Sequence, residues 1–354
     1  MLQYSDKYLY FPYEYDGGLD SKTYDLVLLI RVALSLGRIP IIKEARTSFT
    51  HRLDDIEQDV SIDWDEHINL SAVKILETTS DGTIKESPET LRYVYEKNFD
   101  WSCPESQVRC VDGLQLYNEE NETIRIIILA RDKVNLRRKG RDEQLSKIHK
   151  GLYFSPRLNA YFKSPFYIVI PPSRRVEGLS DIVINNFGTN RESMKLFNNA
   201  LYDLPRFRKF SIEQDFNNFC YYACMHVRFA ENSKIASKEI KHADYLRKVI
   251  KATVKNIYEM HSQNMPLYIM SNIMDADYFD FLKPKYNIYR YTNFEKLVEQ
   301  VSPNGTIDHN LLYSVEKNIM RYAAVKIHSY RRNRFVFEGG WYRKGSYYQP
   351  SAPQ

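Results

Sequence analysis

The chain has 354 residues, more than one hydrophobic core usually supports, which predicts two domains. A hydrophobic content of 43% is typical of a globular protein and excludes wholesale disorder. The net charge of +5 comes from abundant residues of both signs. This balance is compatible with an anionic ligand, but it lacks the dense basic stripe typical of nucleic-acid-binding proteins.

Neither a signal peptide nor a membrane span is predicted. Residues 1–7 lack a basic start followed by an apolar core, and no apolar stretch approaches membrane-spanning length. These features predict a cytoplasmic protein. The cysteines do not have the spacing of a zinc site, and whether Cys103 and Cys110 pair is left open.

The first predicted elements form a strand, turn, helix and strand. Residues 7–12 predict a strand, residues 14–18 predict a glycine-containing turn, and a helix is expected to begin near Asp20 or Ser21. Gly37 is expected to end this helix, and residues 39–42 predict the next strand. The helix carries its apolar residues at helical spacing: Leu26, Leu29, Ile30, Ala33 and Leu34. This order is typical of one βαβ unit of a Rossmann-like lobe.

Alternation of strands and helices resumes after a polar stretch. Residues 178–210 are polar and predict loops, so we place the boundary between two lobes there, with an N-terminal lobe over 1–190 and a C-terminal lobe over 191–354. The further predicted strands are 72–76, 124–130, 166–170, 221–227, 267–270 and 325–328. The further predicted helices are 243–260, 275–281, 293–301 and 309–324. The expected fold class is α/β, with two Rossmann-like lobes facing a cleft.

The triplet His226-Val227-Arg228 is the most informative functional feature. It lies at the end of the apolar strand predicted over 221–227. The carboxyl end of a core strand in an α/β sheet borders the crevice in which such folds bind ligands. A planar guanidinium there suits a phosphate, because its donors match two oxygens at once. The alternative for Arg228 is a structural salt bridge.

Two other segments would border the same cleft. The turn around Asp16, Gly17 and Gly18 lies between a strand and a helix start, where a backbone can approach an anion closely. The alternative for Asp16 is an aspartate that caps the turn. Residues 329–334, after the strand over 325–328, are rich in hydrogen-bond donors.

The order of these parts resembles the protein O-fucosyltransferases and their relatives, the inverting α1,6-fucosyltransferases. Gly17-Gly18-Leu19-Asp20 is similar to their Gly-Gly-x-Asn-type loop, and residues 33–42 are similar to their Ala-x-x-Leu-x-Arg-x-Leu-x-x-Pro stretch. His226 and Arg228 match a His-x-Arg motif, and Ser271-Asn272 loosely matches a strand that ends in Thr-Asp. Residues 315–323 match a Val-Asp-x-x-Ile-x-x-x-Ala helix.

The resemblance implies a GT-B type fold, with the acceptor on the N-terminal lobe and the nucleotide sugar on the C-terminal lobe. It implies fucosyl transfer from GDP-fucose to a protein or glycan hydroxyl, with inversion and without a metal or other cofactor. The residues that it assigns to nucleotide-sugar binding are Gly17, Gly18, His226, Arg228, Ser271, Asn272, Arg332, Asn333 and Arg334. Arg228 and Asp16 are the expected catalytic residues.

Cationic side chains are expected to take the place of a metal. Of the two Asp-x-Asp sequences, 63–65 lies in the middle region away from any glycine loop, and 275–277 opens a predicted helix. Arg228, with Arg332 or Arg334, would neutralise the charge that develops on the leaving diphosphate. Asp16 would take the proton of the acceptor hydroxyl, or Glu14 in its place. His226 would support the diphosphate or the acceptor.

The sequence departs from the family where the donor would bind. The family's Ser-Thr-Phe-Ser corresponds here to Arg332-Asn333-Arg334-Phe335, and its Thr-Asp to Ser271-Asn272. The exchange leaves two alternatives open: transfer of another nucleotide sugar, or a catalytically inactive binding protein with the same fold. Nucleic acid is not an expected partner, because no motif supports it.

Overall fold

A computed structural model gives the fold. It describes residues 6–11, 19–47, 60–78, 84–111, 124–129, 166–187, 220–227, 247–248, 250–255, 257–259, 265–271, 277–330, 334–338 and 347–348. The strands of the N-terminal half are β1 (Tyr8–Tyr10), β2 (Ile39–Ile42), β3 (Ala45–Thr47), β4 (Val60–Ile62), β5 (Lys74–Thr78), β6 (Ile84–Glu86), β7 (Val94–Tyr95), β8 (Val108–Val111), β9 (Ile126–Leu129) and β10 (Phe166–Val169). Those of the C-terminal half are β11 (Cys220–Val227), β12 (Leu267–Ser271), β13 (Ile288–Tyr289), β14 (Ala323–Tyr330), β15 (Arg334–Glu338) and β16 (Tyr347–Tyr348). The helices are α1 (Leu19–Ser35), α2 (Trp64–His67), α3 (Arg174–Ile184), α4 (Glu295–Val301) and α5 (His309–Tyr322).

A parallel sheet forms the centre of the N-terminal half. Its order is β7-β2-β1-β9-β8, and each neighbouring pair is parallel. β1 and β2 are joined through α1, as the sequence predicts for a βαβ unit. The predicted apolar face of α1 is buried, and Leu29 and Ala33 pack with Leu9 of β1.

Gly37 ends α1 for a reason that the backbone makes plain. Its φ is 60°, in the left-handed region where a side chain is disfavoured. The Gly37 N–H donates to the carbonyl of Leu34 over 3.1 Å, and the Arg38 N–H donates to that of Ala33 over 2.8 Å. These two bonds supply donors for carbonyls that lack an intrahelical partner at the end of the helix. The chain then enters β2.

A second sheet forms the centre of the C-terminal half, with the order β13-β12-β11-β14-β15-β16. β11, β12, β13 and β14 are parallel, whereas β15 and β16 join antiparallel. One face packs against α3, α4 and α5, and the other against the helical residues 250–255 and 257–259. The expected α/β fold class is confirmed, with one parallel sheet at the centre of each half.

Three local predictions need correction. Residues 178–184 are helical rather than loop, because Ser173 caps α3 and its apolar residues Val176, Leu179 and Val183 are buried. The strand predicted from residue 72 begins at Lys74, because residues 70–72 form a 3-10 turn.

The described part of the predicted helix 275–281 consists of successive turns rather than α-helix. Asp280 bonds back to Asp277 and Lys283 back to Asp280. Each of these bonds spans three residues, and Pro284 lacks the N–H that a continuing helix needs.

The predicted division at residue 190 falls in the stretch 188–219, outside the described residues. Cys103 is a free thiol, so it does not pair with Cys110. Among the described helices, none is long and apolar enough to cross a membrane.

Candidate functional site

The C-terminal sheet has a switch point beside β11. From β11 the chain adds β12 and then β13 on one side, and β14 returns to the other side of β11. Loops at the carboxyl ends of the strands diverge at such a point and leave a crevice, which is where open α/β sheets bind ligands. His226 is the penultimate residue of β11 and pairs in register with His328 of β14. The structure therefore places His226 at the switch point.

The His226 side chain lies on the face of the sheet that packs against α3 and α5. Side chains alternate along a strand, so His226 shares a face with Tyr222 and Cys224, which are buried against α3 and α5. The imidazole centroid lies 6.4 Å from the ring centroid of Tyr313 on α5. The Lys317 ammonium lies 5.7 Å from the same Tyr313 ring. An imidazole, an aromatic ring and a cation thus follow one another from β11 to α5.

Ser271 reaches the same edge of the sheet on the other face. It ends β12 and pairs with Val227, whereas His226 pairs with Met270. Paired residues of parallel strands point the same way, so Ser271 shares the Val227 face and His226 the Met270 face. The two predicted site residues are neighbours along the edge but do not share one face.

Several predicted site residues lie outside the described residues. The strand residues next to them in the chain show where each stretch leaves the sheet. Arg228 follows Val227 at the end of β11, and Asn272 follows Ser271 at the end of β12. Arg334 begins β15 and pairs with Tyr330, the last residue of β14. The predicted site residues outside the described part are Asp16, Gly17, Gly18, Arg228, Asn272, Arg332 and Asn333.

The N-terminal sheet has a switch point of its own at β1. β2 and β7 lie on one side of β1, and β9 and β8 lie on the other. Residues 12–18 leave the carboxyl end of β1 and lead into α1, so the stretch that contains Asp16 starts at that edge. The stretch that contains Asp16 therefore begins after β1, and the His-x-Arg triplet begins within the last two residues of β11.

The two halves meet where α2 contacts α3 and α5. His67 Nδ1 and Ser314 Oγ are 2.8 Å apart, and Arg175 Nη1 lies 2.9 Å from Glu66 Oε2. Tyr313 packs against the cores of both halves. Burial lowers the pKa of His67, although Asp308 and Glu66 act in the opposite direction. The same first turns of α5 therefore contact both His226 and the N-terminal half.

A buried polar cluster lies beneath the switch point and was not predicted as a site. The Tyr268 hydroxyl donates to Glu316 Oε1 over 3.0 Å, and both side chains are buried. Desolvation raises the pKa of Glu316 to about 8, against the opposing effects of the Tyr268 hydrogen bond and the Arg290 charge. Burial also raises the pKa of the Cys224 thiol, so this cysteine is not a reactive thiolate. The sequence signal was a glutamate at a buried position of the α5 pattern, next to Val315.

The described Asp-x-Asp sequence has a structural role. Asp63 caps α2, with its Oδ1 accepting from the Asp65 N–H over 3.0 Å, and Asp65 Oδ1 accepts from the Tyr95 hydroxyl over 2.7 Å. Of the other sequence, 275–277, only Asp277 lies in the described part, at the start of a turn. Within the part of the chain that the structure describes, no group of three acidic, histidine or cysteine side chains is arranged to hold a metal ion.

Comparisons with known proteins gave structural matches alone. No protein-family model matches the chain, and no curated protein matches it. Among solved structures, POFUT1 in complex with GDP-fucose is similar at 10% identity, with 90% of this chain and 94% of that chain covered and a TM-score of 0.38. POFUT1 in complex with GDP is similar at 11% identity, with 91% and 90% covered and a TM-score of 0.41. Matches with such low TM-scores do not assign a function, so the assignments below depend on the residues of this chain.

Proposed function

We propose that this protein is a metal-independent, inverting glycosyltransferase that transfers fucose from GDP-fucose to a protein or glycan hydroxyl. The observation that carries the proposal is the position of His226 at the switch point between β11 and β14. Arg228, two residues further on, follows the end of the same strand. An imidazole and a guanidinium at that edge suit a nucleotide diphosphate.

The reaction breaks the bond between the sugar anomeric carbon and the diphosphate oxygen. The acceptor hydroxyl forms the new bond on the opposite face of the sugar, which inverts the configuration. Negative charge grows on the leaving GDP, and the sugar acquires oxocarbenium character. Arg228 neutralises that charge, with Arg332 or Arg334, and Asp16 takes the proton released by the hydroxyl. GDP leaves as the second product.

The nucleobase and the sugar of the donor are the least constrained parts of this proposal, and each can be tested directly. Arg332-Asn333-Arg334 stands where the resembling family has hydroxyl side chains. A thermal-shift panel of GDP, UDP, ADP and CMP tests the base, because a ligand that binds the folded state raises the midpoint. GDP is expected to give the largest shift. A larger shift with another nucleotide would favour another nucleotide sugar and overturn GDP-fucose as donor.

Catalysis is tested by hydrolysis of GDP-fucose in the presence of EDTA. Arg228→Ala is expected to abolish turnover while the thermal midpoint stays nearly unchanged. Arg174→Ala is the matched control, since Arg174 is exposed at the start of α3 and is not among the proposed site residues, and it is expected to retain activity. Activity in Arg228→Ala would overturn the mechanism. Nucleotide binding without hydrolysis or transfer would indicate a binding protein instead.

A further inference from the structure

Four aromatic side chains, Tyr8, Tyr10, Phe99 and Trp101, form a ladder of ring contacts on one face of the N-terminal sheet. Tyr8 and Tyr10 of β1 project to the same face, opposite to Leu9 and α1. The Phe99 ring lies 4.8 Å from Tyr8 and 4.8 Å from Trp101, and the Trp101 ring lies 5.2 Å from Tyr10. All three contacts are edge-to-face, the arrangement that the charge distribution of aromatic rings favours.

Trp101 is the exposed member of this ladder. It is 42% exposed and is the one exposed large hydrophobic side chain among the described residues. Trp64, by contrast, is 3% exposed and donates its indole N–H to the Lys43 carbonyl over 2.9 Å. Because the two ring neighbours of Trp101 meet it at steep angles, they fix the indole without covering it.

The backbone around Trp101 is held in place as well. Asp100 Oδ1 accepts from the Ser102 N–H over 2.9 Å, and the Trp101 carbonyl accepts from the Cys103 N–H over 2.7 Å. These two bonds close turns on either side of Trp101. The indole is therefore ordered before any ligand arrives, which lowers the entropic cost of binding.

The ladder places Trp101 at the carboxyl edge of the sheet. Its contact is with Tyr10, the last residue of β1, whereas Phe99 contacts Tyr8 at the beginning of that strand. Residues 12–18 leave the sheet at the same end of β1. Trp101 is thus level with the start of the stretch that contains Asp16.

Carboxylate side chains lie on the same segment as Trp101. Asp100 and Glu105 are exposed on the same segment, and Glu96 accepts the Tyr10 hydroxyl. Hydrogen bonds from Ser102 lower the pKa of Asp100, so this carboxylate is ionised at neutral pH. A pyranose ring offers C–H groups on one face, which pack on an indole, and hydroxyls at its rim, which donate to carboxylates. The same carboxylates would repel the phosphates of a nucleic acid.

We propose that Trp101 is the stacking platform for a pyranose ring of the acceptor, which is therefore a glycan, and that Asp100 accepts its hydroxyls. That the bound sugar is the acceptor rests on the proposed glycosyltransferase function. The stacking itself does not, since it depends on the ladder alone. The proposal narrows the acceptor from a protein or glycan hydroxyl to a carbohydrate.

The binding test is NMR of the full-length protein with labelled indole nitrogen. Trp101→Phe identifies the Trp101 indole signal, and the buried Trp64 indole serves as the internal reference. The probes are methyl β-galactoside, methyl N-acetyl-β-glucosaminide and a proline-rich peptide. A shift of the Trp101 signal with a methyl pyranoside supports the proposal. A shift with the peptide alone, or none with either pyranoside, overturns it.

Two variants test the role of each group. Trp101→Ala is expected to raise the Kd for the pyranoside by about tenfold. Asp100→Asn keeps the turn, because its amide oxygen still accepts from Ser102, and is expected to weaken binding less. Glu295→Gln is the matched control, because Glu295 is an exposed glutamate at the start of α4 in the C-terminal half, and it should leave the Kd unchanged. An unchanged Kd in Trp101→Ala would also overturn the platform.

Failure of this inference can be told apart from failure of the proposed function. Hydrolysis of GDP-fucose by the wild-type protein reports on the donor site without any acceptor. If hydrolysis occurs and the indole does not respond, the proposed function holds and the platform is wrong. If the indole responds and no nucleotide sugar is hydrolysed or transferred, the platform holds and the transferase assignment is wrong.

Discussion

The Tyr268 hydroxyl and the Glu316 carboxyl form a buried hydrogen bond of 3.0 Å between β12 and α5. Glu316 is 4% exposed, and burial raises the pKa of its carboxyl to about 8. At neutral pH the carboxyl is therefore mostly protonated, and Tyr268 donates to its carbonyl oxygen. The core beneath the switch point thus holds an uncharged acid.

Glu316→Gln is expected to remove a pH dependence of stability. The pKa of Glu316 is higher in the folded state than its ordinary value of 4.5, so its stabilising contribution is complete below 4.5 and is lost as the pH rises through about 8. For one proton this loss is at most about 1.4 kcal/mol per pH unit. The glutamine keeps an oxygen that accepts from Tyr268.

Urea unfolding followed by circular dichroism at about pH 5, 7 and 9 measures this effect. The wild type should lose stability relative to Glu316→Gln as the pH rises. A constant difference across that range would show that Glu316 has an ordinary pKa.

His67, at the junction of the two halves, is expected to give stability the opposite dependence on pH. Burial lowers the pKa of His67 from 6.5, so its contribution is present above 6.5 and is lost as the pH falls below that value. His67→Asn keeps a polar atom near Ser314 but does not titrate. Between about pH 8 and about pH 5 the wild type should lose unfolding free energy relative to His67→Asn. A parallel response of the two proteins would contradict the burial of a neutral His67.

Removing the partner of His67 tests the same contact at fixed pH. Ser314→Ala leaves Nδ1 without the oxygen 2.8 Å away and should cost about 1 kcal/mol of unfolding free energy. Ser71→Ala is the control, because Ser71 is exposed and bonds to Asn69 locally. It should change stability by a few tenths of a kcal/mol at about neutral pH.

Arg38→Lys is expected to destabilise the N-terminal half without affecting the nucleotide site. Arg38 is 4% exposed, and its Nη1 lies 3.2 Å from the Ile124 carbonyl and 3.3 Å from that of Arg125. A lysine ammonium is more strongly hydrated than a guanidinium, so it is more costly to bury at this position, and the loss should be about 2 kcal/mol of unfolding free energy.

Trp64 and Trp101 lie in the N-terminal half, and the third tryptophan, Trp341, lies in the C-terminal half. Tryptophan fluorescence during urea unfolding, measured in a Trp341→Phe background, therefore reports on the N-terminal half. The thermal shift with GDP should persist in Arg38→Lys. A stable variant that has lost its GDP response would instead make Arg38 a ligand-binding residue.

Replacing glycine by alanine is expected to have opposite effects on stability at Gly37 and at Gly178. Gly37→Ala forces a side chain into the left-handed region and should cost about 1 kcal/mol. Gly178 lies within α3, and a methyl group added there meets no atom within 4 Å. Gly178→Ala should therefore stabilise the protein by about 0.5–1 kcal/mol. The thermal midpoints of the two variants measure both effects. Changes in midpoint of the same sign for both variants would contradict this prediction.

Local periodicity predicted the long buried strands, whereas the short strands β3, β4, β6, β7, β8, β13, β15 and β16 were not predicted. The strand over 221–227 and the helix over 309–324 correspond closely to β11 and α5, because apolar spacing reports directly on a buried strand or a helix face. The loop predicted from residue 178 was wrong, since the polar face of α3 masks its buried residues. The helix predicted over 275–281 was wrong over its described residues, 277–281, which form turns. Pro284 lacks the N–H that a continuing helix needs, and the spacing of apolar residues does not register that loss.

The sequence by itself determined the βαβ order, the turn at Gly37 and the position of His226 at the end of a core strand. These features follow from residues close together in the chain, whose propensities and spacing act locally. The tertiary structure alone decided that Ser271 lies on the opposite face from His226, that Tyr313 contacts both halves, and that Trp101 is exposed on a ring ladder. Each of these depends on strand register or on packing between distant segments, which no local pattern contains.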